Sequence, residues 1–122
     1  MKLRIFKIKV FNRWAEKADL TNEQLIRAAE EIKDGLVDAH LGGNLYKKRI
    51  ASSTRGKSGG FRTLLAYKKG TVIFFMDGLK KGEKENITIK EQEVLKELAE
   101  YLLSLSNKDI LHAIKVGILF EA

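Results

Sequence analysis

The chain has 122 residues, of which 44% are apolar, with no cysteine, no proline and a net charge of +7, the size and composition expected of one domain spanning 1–122 around its own core. Lack of cysteine excludes a disulfide framework and thiolate metal sites. Residues 1–10 alternate Lys or Arg with apolar side chains instead of forming a signal peptide's unbroken apolar core, and no run reaches the ~20 apolar residues of a membrane span, so a cytoplasmic protein without membrane contact is expected.

Leu3–Val10 is expected to form a strand, and the change of phase between Ile5 and Ile8 points to a bulge or to burial on both faces. Phe11, Trp14, Ala15 and Ala18 follow at helical spacing, which makes Trp14 a core anchor. In the next helix Thr21 and Gln24 form a capping box, Leu25, Ala28, Ala29 and Ile32 make the apolar stripe, and Gly35 supplies a left-handed stop. The two helices are expected to pair antiparallel.

After Gly42-Gly43, Leu45–Ala51 reads as a strand with cations on both faces, followed by a polar loop over 52–60. Phe61–Tyr67 and Thr71–Asp77 are strong strands separated by Lys68-Lys69-Gly70, short enough for a hairpin. A second cationic loop, Lys80–Lys84, precedes a helix capped by Thr88 and Glu91 and bearing Leu95, Leu98, Leu102 and Leu105. Ser106–Val116 suggests a last helix ended by Gly117, with Ile118-Leu119-Phe120 as an edge strand or an apolar plug. This order predicts an α+β fold with helices on one face of the sheet and the other face left for a ligand.

Charge is unevenly spread. Residues 1–43 carry 8 basic and 7 acidic side chains, residues 44–84 carry 11 and 2, and residues 85–122 carry 4 and 7. A cationic block between neutral and acidic segments is the footprint of a phosphate-binding surface, as in proteins acting on nucleic acid. Its members are Lys47, Lys48, Arg49, Arg55, Lys57, Arg62, Lys68, Lys69, Lys80, Lys81 and Lys84.

Other chemistries find little support. Gly56-Lys57-Ser58 ends like a P-loop, but Ala51 stands where that motif needs glycine and the loop leads into a strand instead of a helix. The carboxylates are spaced as solvent faces of helices, with Asp77 and Glu83 alone in the basic block. His40 and His112 are far apart in sequence and form no metal-binding pattern. Clustered cations suit a phosphodiester, because arginine meets the charge developing on phosphorus bidentately and RNA supplies its own 2′-OH nucleophile. Crowding also lowers lysine pKa values, which would let a lysine accept a proton near neutral pH.

The run Leu41-Gly42-Gly43-x-Leu45-x-Lys47-Lys48-Arg49-Ile50-Ala51, followed by Gly56-Lys57-Ser58-Gly59-Gly60-Phe61-Arg62-Thr63, resembles the RelE/ParE superfamily of bacterial type II toxins, in its HigB-like or RelE-like translational-repressor branch. Phe11-x-x-Trp14, Gly35 and Lys81-x-x-Lys84-x-Asn86-Ile87 fit that pattern in order. The resemblance implies a microbial-ribonuclease-like antiparallel sheet with two N-terminal helices and C-terminal helices packed on it. It also implies a toxin that cleaves mRNA on the ribosome, leaves a cyclic phosphate, uses no cofactor or metal, and is held by a cognate antitoxin. Carried to this chain, it marks Lys57, Arg62, Lys81 and Lys84 as catalytic, with Arg62 stabilising the phosphate and Lys57 or Lys81 moving the proton. Lys47, Lys48 and Arg49 become contacts to mRNA or rRNA, with Arg55 and Lys80 grouped beside them. Lys84 stands where relatives often have arginine, and the later loop offers no Tyr or His as general acid. A ParE-like inhibitor of DNA gyrase and a non-catalytic RNA- or DNA-binding module are the alternatives.

Overall fold

Phe6, Val72 and Phe74 pack on one side of a central sheet, while Ile5, Ile73 and Phe75 pack on the other. Strands buried on both faces have no polar alternation, which explains the unbroken apolar runs. The computed structural model describes residues 3–51, 60–80 (Lys80 by its backbone alone) and 87–122. In chain order they form β1 (Arg4–Ile8), α1 (Lys9–Lys17), α2 (Asn22–Lys33), β2 (Ala39–Gly42), β3 (Leu45–Ala51), β4 (Gly60–Lys68), β5 (Val72–Lys80), α3 (Ile89–Leu103), α4 (Asn107–Lys115) and β6 (Leu119–Glu121). The sheet order is β2-β3-β4-β5-β1-β6, with β1 parallel to β5 and the other neighbours antiparallel.

The expectation that the helices share one face is overturned. Phe11 and Ala15 of α1 and Leu25, Ala28, Ala29 and Ile32 of α2 join Ile50, Phe61, Leu65 and Phe75 in one core cluster. Ala99 and Leu102 of α3 and Ile110 of α4 join Phe6, Leu45, Leu64, Ala66 and Phe74 in the other. With apolar side chains on both faces of the central strands, leaving either face open would expose phenylalanines worth about 1.5–3 kcal/mol each when buried. The ligand face is therefore reduced to what the helices do not reach.

Boundaries shift where tertiary packing decides. Of the two readings of the phase change in β1, burial on both faces holds, and the strand stops at Ile8; Lys9 and Val10 begin α1, with Val10 65% exposed. Strand β2 was not expected, being four residues long and stabilised mainly by pairing with β3. The tail forms an edge strand against β1, and its Leu119 is buried in the core. Capping boxes at Thr21/Gln24 and Thr88/Glu91 occur as expected, and Ser106/Asp109 adds a third. Gly35 closes α2 at φ +89°, a conformation that costs glycine nothing.

Lys7 is buried on the α1/α2 side, where its Nζ donates to Asn22 Oδ1 at 2.7 Å. Burial holds its pKa below the ordinary 10.5, with Glu16 partly opposing the shift. A lysine with a lowered folded pKa is penalised while charged, so its contribution to stability improves as pH rises through the folded pKa towards 10.5. Replacing Lys7 with Met, which keeps the packing and removes the charge together with its bond to Asn22, should raise stability at pH 7 and flatten this rise in alkali. Urea denaturation at neutral and alkaline pH measures both effects, and a loss of stability at pH 7 would refute the expectation.

Candidate nucleic-acid interface

In antiparallel strands, residues directly opposite share a face, and residues two apart along a strand share it too. Arg49 stands opposite Arg62, and Lys47 opposite Leu64. Leu64 belongs to the core beneath α3, so Lys47, Arg49 and Arg62 all lie on the α3 face. They occupy the end of the sheet beyond that core, where Arg49 is exposed and Lys47 and Arg62 are half-buried.

Asp77 joins them through an irregularity. Leu64 pairs with Asp77 and Leu65 with Phe75, leaving Met76 as an extra residue in β5. Without that bulge, Asp77 would lie on the same side as Phe75, under α1 and α2. The inserted residue moves it across to the face of Lys47 and Arg62, which is how bulges re-aim side chains beside functional sites. Asp77 Oδ1 accepts the Gly78 N–H at 3.0 Å. Lys47, Arg62, Asp77, Ile87 and Gln92 line a cleft of about 140 Å³, and Gln92 Nε2 donates to O of Leu41, another lining residue, at 3.2 Å. Nothing in the sequence had assigned a role to Asp77 or Gln92; the signal for Asp77 was the apolar run Val72–Met76 ending abruptly in a carboxylate.

The backbone around Arg49 is fixed from outside the sheet. Pairing between β2 and β3 ends at Ala39–Lys47, and beyond it Asp38 donates its N–H to Lys47 O at 2.9 Å while its Oδ1 accepts the Arg49 N–H at 2.9 Å. Across β3, Thr63 Oγ1 donates to Lys48 O at 2.8 Å.

Lys48 must be removed from the predicted RNA contacts. Alternation turns it away from Lys47 and Arg49, to the α2 side, where its side chain is 8% exposed. There Nζ donates to Leu36 O at 2.8 Å and pairs with Glu31 at 2.7 Å. These contacts tie β3 to α2 and to the turn that follows it. The Lys48→Ala variant should lose about 2 kcal/mol of stability, because Glu31 is 48% exposed and can be resolvated whereas Leu36 O loses a charged donor. Chemical denaturation and RNA binding measured together test this: weaker RNA binding at unchanged stability would contradict it.

The other predicted residues divide into two groups. Lys57, Arg55, Lys81 and Lys84 lie outside the described residues, and Lys80 is placed by its backbone alone, opposite Phe61 at the end of β5. Lys68 and Lys69 sit at the far end of the β4–β5 hairpin, ~20 Å from Arg62 at a strand's rise per residue, so the cationic block does not converge as one unit. Trp14 is a core anchor as expected, edge-on to Phe61 with ring centroids 5.4 Å apart. His40 stacks on Tyr46 at 4.3 Å on the β2–β3 hairpin, and His112 is exposed on α4.

The fold and site define a small α+β protein that gathers cations at one end of a sheet enclosed by helices. Residues 3–122 match the family described as the RelE toxin of the RelE/RelB toxin–antitoxin system, and the chain belongs to that family. It is thus a toxin of a toxin–antitoxin pair, with an antitoxin as its partner. A comparison with curated proteins finds no significant match. No helix among the described residues is long and apolar enough to cross a membrane.

Proposed function

We propose that this toxin is a ribosome-dependent endoribonuclease of the HigB-like or RelE-like branch, repressing translation in the cytoplasm by cutting mRNA. The observation that carries the reading is Arg49 directly opposite Arg62 with Lys47 on the same face. Like charges across a strand pair cost stability, up to about 1 kcal/mol, and serve packing poorly. Three cations gathered on one face exceed the single carboxylate of Asp77 beside them, and a phosphodiester has the charge and shape to meet that excess.

In this mechanism the 2′-oxygen attacks the adjacent phosphorus, its proton passes to a base, the bond to the 5′-oxygen breaks, and that oxygen takes up a proton. The products are a 2′,3′-cyclic phosphate and a 5′-hydroxyl. Arg62 stabilises the negative charge that builds on the phosphoryl oxygens, Lys47 and Arg49 hold the strand, and Asp77 orients the cations beside it. Lys57 or Lys81 is assigned proton transfer, and Lys84 a share in charge stabilisation. Arg55 and Lys80 extend the contact to mRNA or rRNA.

The experiment is induction of the toxin in growing cells with mapping of RNA ends and end-group chemistry. Cuts inside translated codons with 5′-hydroxyl ends are expected, and they should be absent from a copy of the same transcript whose start codon has been removed so that it is not translated. Intact transcripts with altered plasmid supercoiling would favour the gyrase reading instead.

A further inference from the structure

A second and larger cleft opens on the other side of the same arginines. It lies between α2 and the ends of β3 and β4, has a volume of about 420 Å³, and shares Arg49 and Arg62 among its lining residues. On α2, Gln24, Arg27, Ala28 and Glu31 face it; their spacing of three and four residues places them on one helical stripe. The floor is apolar, formed by Ala28, Ile50 and Phe61. Gln24 fixes the wall, its Nε2 donating to Ala51 O at 3.2 Å and its Oε1 accepting the Thr21 N–H at 2.9 Å.

Charge gives the cleft its selectivity. Glu31 would repel a phosphate, but Lys48 lies 2.7 Å from its carboxylate and neutralises it. Arg49 and Arg62 border the cleft where β3 and β4 end, with their side chains on the α3 face, and Arg27 is the cation on the α2 wall, exposed and with no side-chain hydrogen bond or ion pair among the described residues. An arginine rim over an apolar floor suits one unit of single-stranded nucleic acid, with the phosphate at the rim and the base or ribose on the floor. The volume falls within the range of small-ligand pockets.

We propose that this cleft is a flanking-nucleotide subsite, in which Arg27 holds the phosphate next to the one bound at Arg49 and Arg62. This rests on the RNA-cleaving reading and adds to it a direction for the strand, from the α3 side of the sheet end across Arg62 to α2. Arg27 acts there as a binding residue and makes no contact with the bond that breaks.

The test is binding of the full-length toxin to fluorescent single-stranded RNA at several salt concentrations, with a dinucleotide and with a strand of about eight nucleotides. For the longer strand, Arg27→Ala should weaken binding about five- to tenfold and reduce the slope of log affinity against log salt by about 0.7, the loss of one phosphate contact. Binding of the dinucleotide, which is too short to fill both clefts, should not change. Arg27→Lys should keep the salt slope, and Lys33→Ala, exposed on the same helix but outside the cleft, should behave as wild type. Equal affinity of wild type and Arg27→Ala for the longer strand, or an equal loss in Lys33→Ala, would overturn the subsite while leaving the cleavage reading intact. Wild-type toxin that binds neither RNA, and leaves transcripts uncut in cells, would overturn both.

Discussion

The Arg62→Ala variant is expected to cut mRNA on programmed ribosomes about a hundred to a thousand times more slowly than wild type, equivalent to about 2.7–4 kcal/mol of lost transition-state stabilisation. The size follows from where the guanidinium stands. It is half-buried on β4 at the sheet end and lines a cleft with Lys47 and Asp77, so its freedom is already restricted before substrate arrives and less is spent on ordering it. The Arg62→Lys variant should recover only part of the rate, since an ammonium keeps the charge but loses the planar fork that engages two phosphoryl oxygens. Single-turnover cleavage gives the rate, and thermal melting separates loss of chemistry from loss of fold. Wild-type cleavage by Arg62→Ala would remove this residue from the mechanism, and with it the reason for placing two arginines face to face.

The largest effect on stability is expected at a glycine. A Cβ on Gly78 would stand 2.3 to 2.6 Å from three ring atoms of Trp14, well inside van der Waals contact. The ring has little room to withdraw, being edge-on to Phe61 and tilted against Phe11, each with centroids 5.4 Å away. Gly78→Ala should therefore cost about 3 kcal/mol, the upper end of the usual range for overpacking, and lower the melting temperature by roughly 12 °C for a domain of this length. Because Gly78 follows Asp77 and lines the cleft of Lys47 and Arg62, surviving folded protein should also bind RNA less well. Combining Gly78→Ala with Trp14→Leu should restore part of the lost stability, and the coupling energy from that double-mutant cycle measures the contact. A Gly78→Ala protein that melts with wild type would show that β5 yields at this point.

Local signals in the sequence were enough to place the helices. Side-chain caps at Thr21 and Thr88 and the stripes behind them depend on neighbours within a few residues, so they survive without knowledge of the rest of the chain. The β4–β5 hairpin was legible for the same reason, its turn and both strands being adjacent. The motif residues also pointed to the right family, because glycine and cation spacing belongs to the linear sequence.

Only the tertiary structure decided what each cation faces. Lys47, Lys48 and Arg49 look alike as a run, yet alternation sends the middle one under α2 to Glu31 and leaves the other two on the α3 face. Which side is buried beneath which helix depends on packing between distant segments. Placing Asp77 required the bulge at Met76, a register shift between two strands that neither strand reveals alone. The insertion of β1 between β5 and β6 likewise joins the two ends of the chain. The sequence by itself determined the local elements and the total of charge, whereas the direction of that charge was set by long-range pairing, because in a sheet a shift of one residue exchanges the two faces.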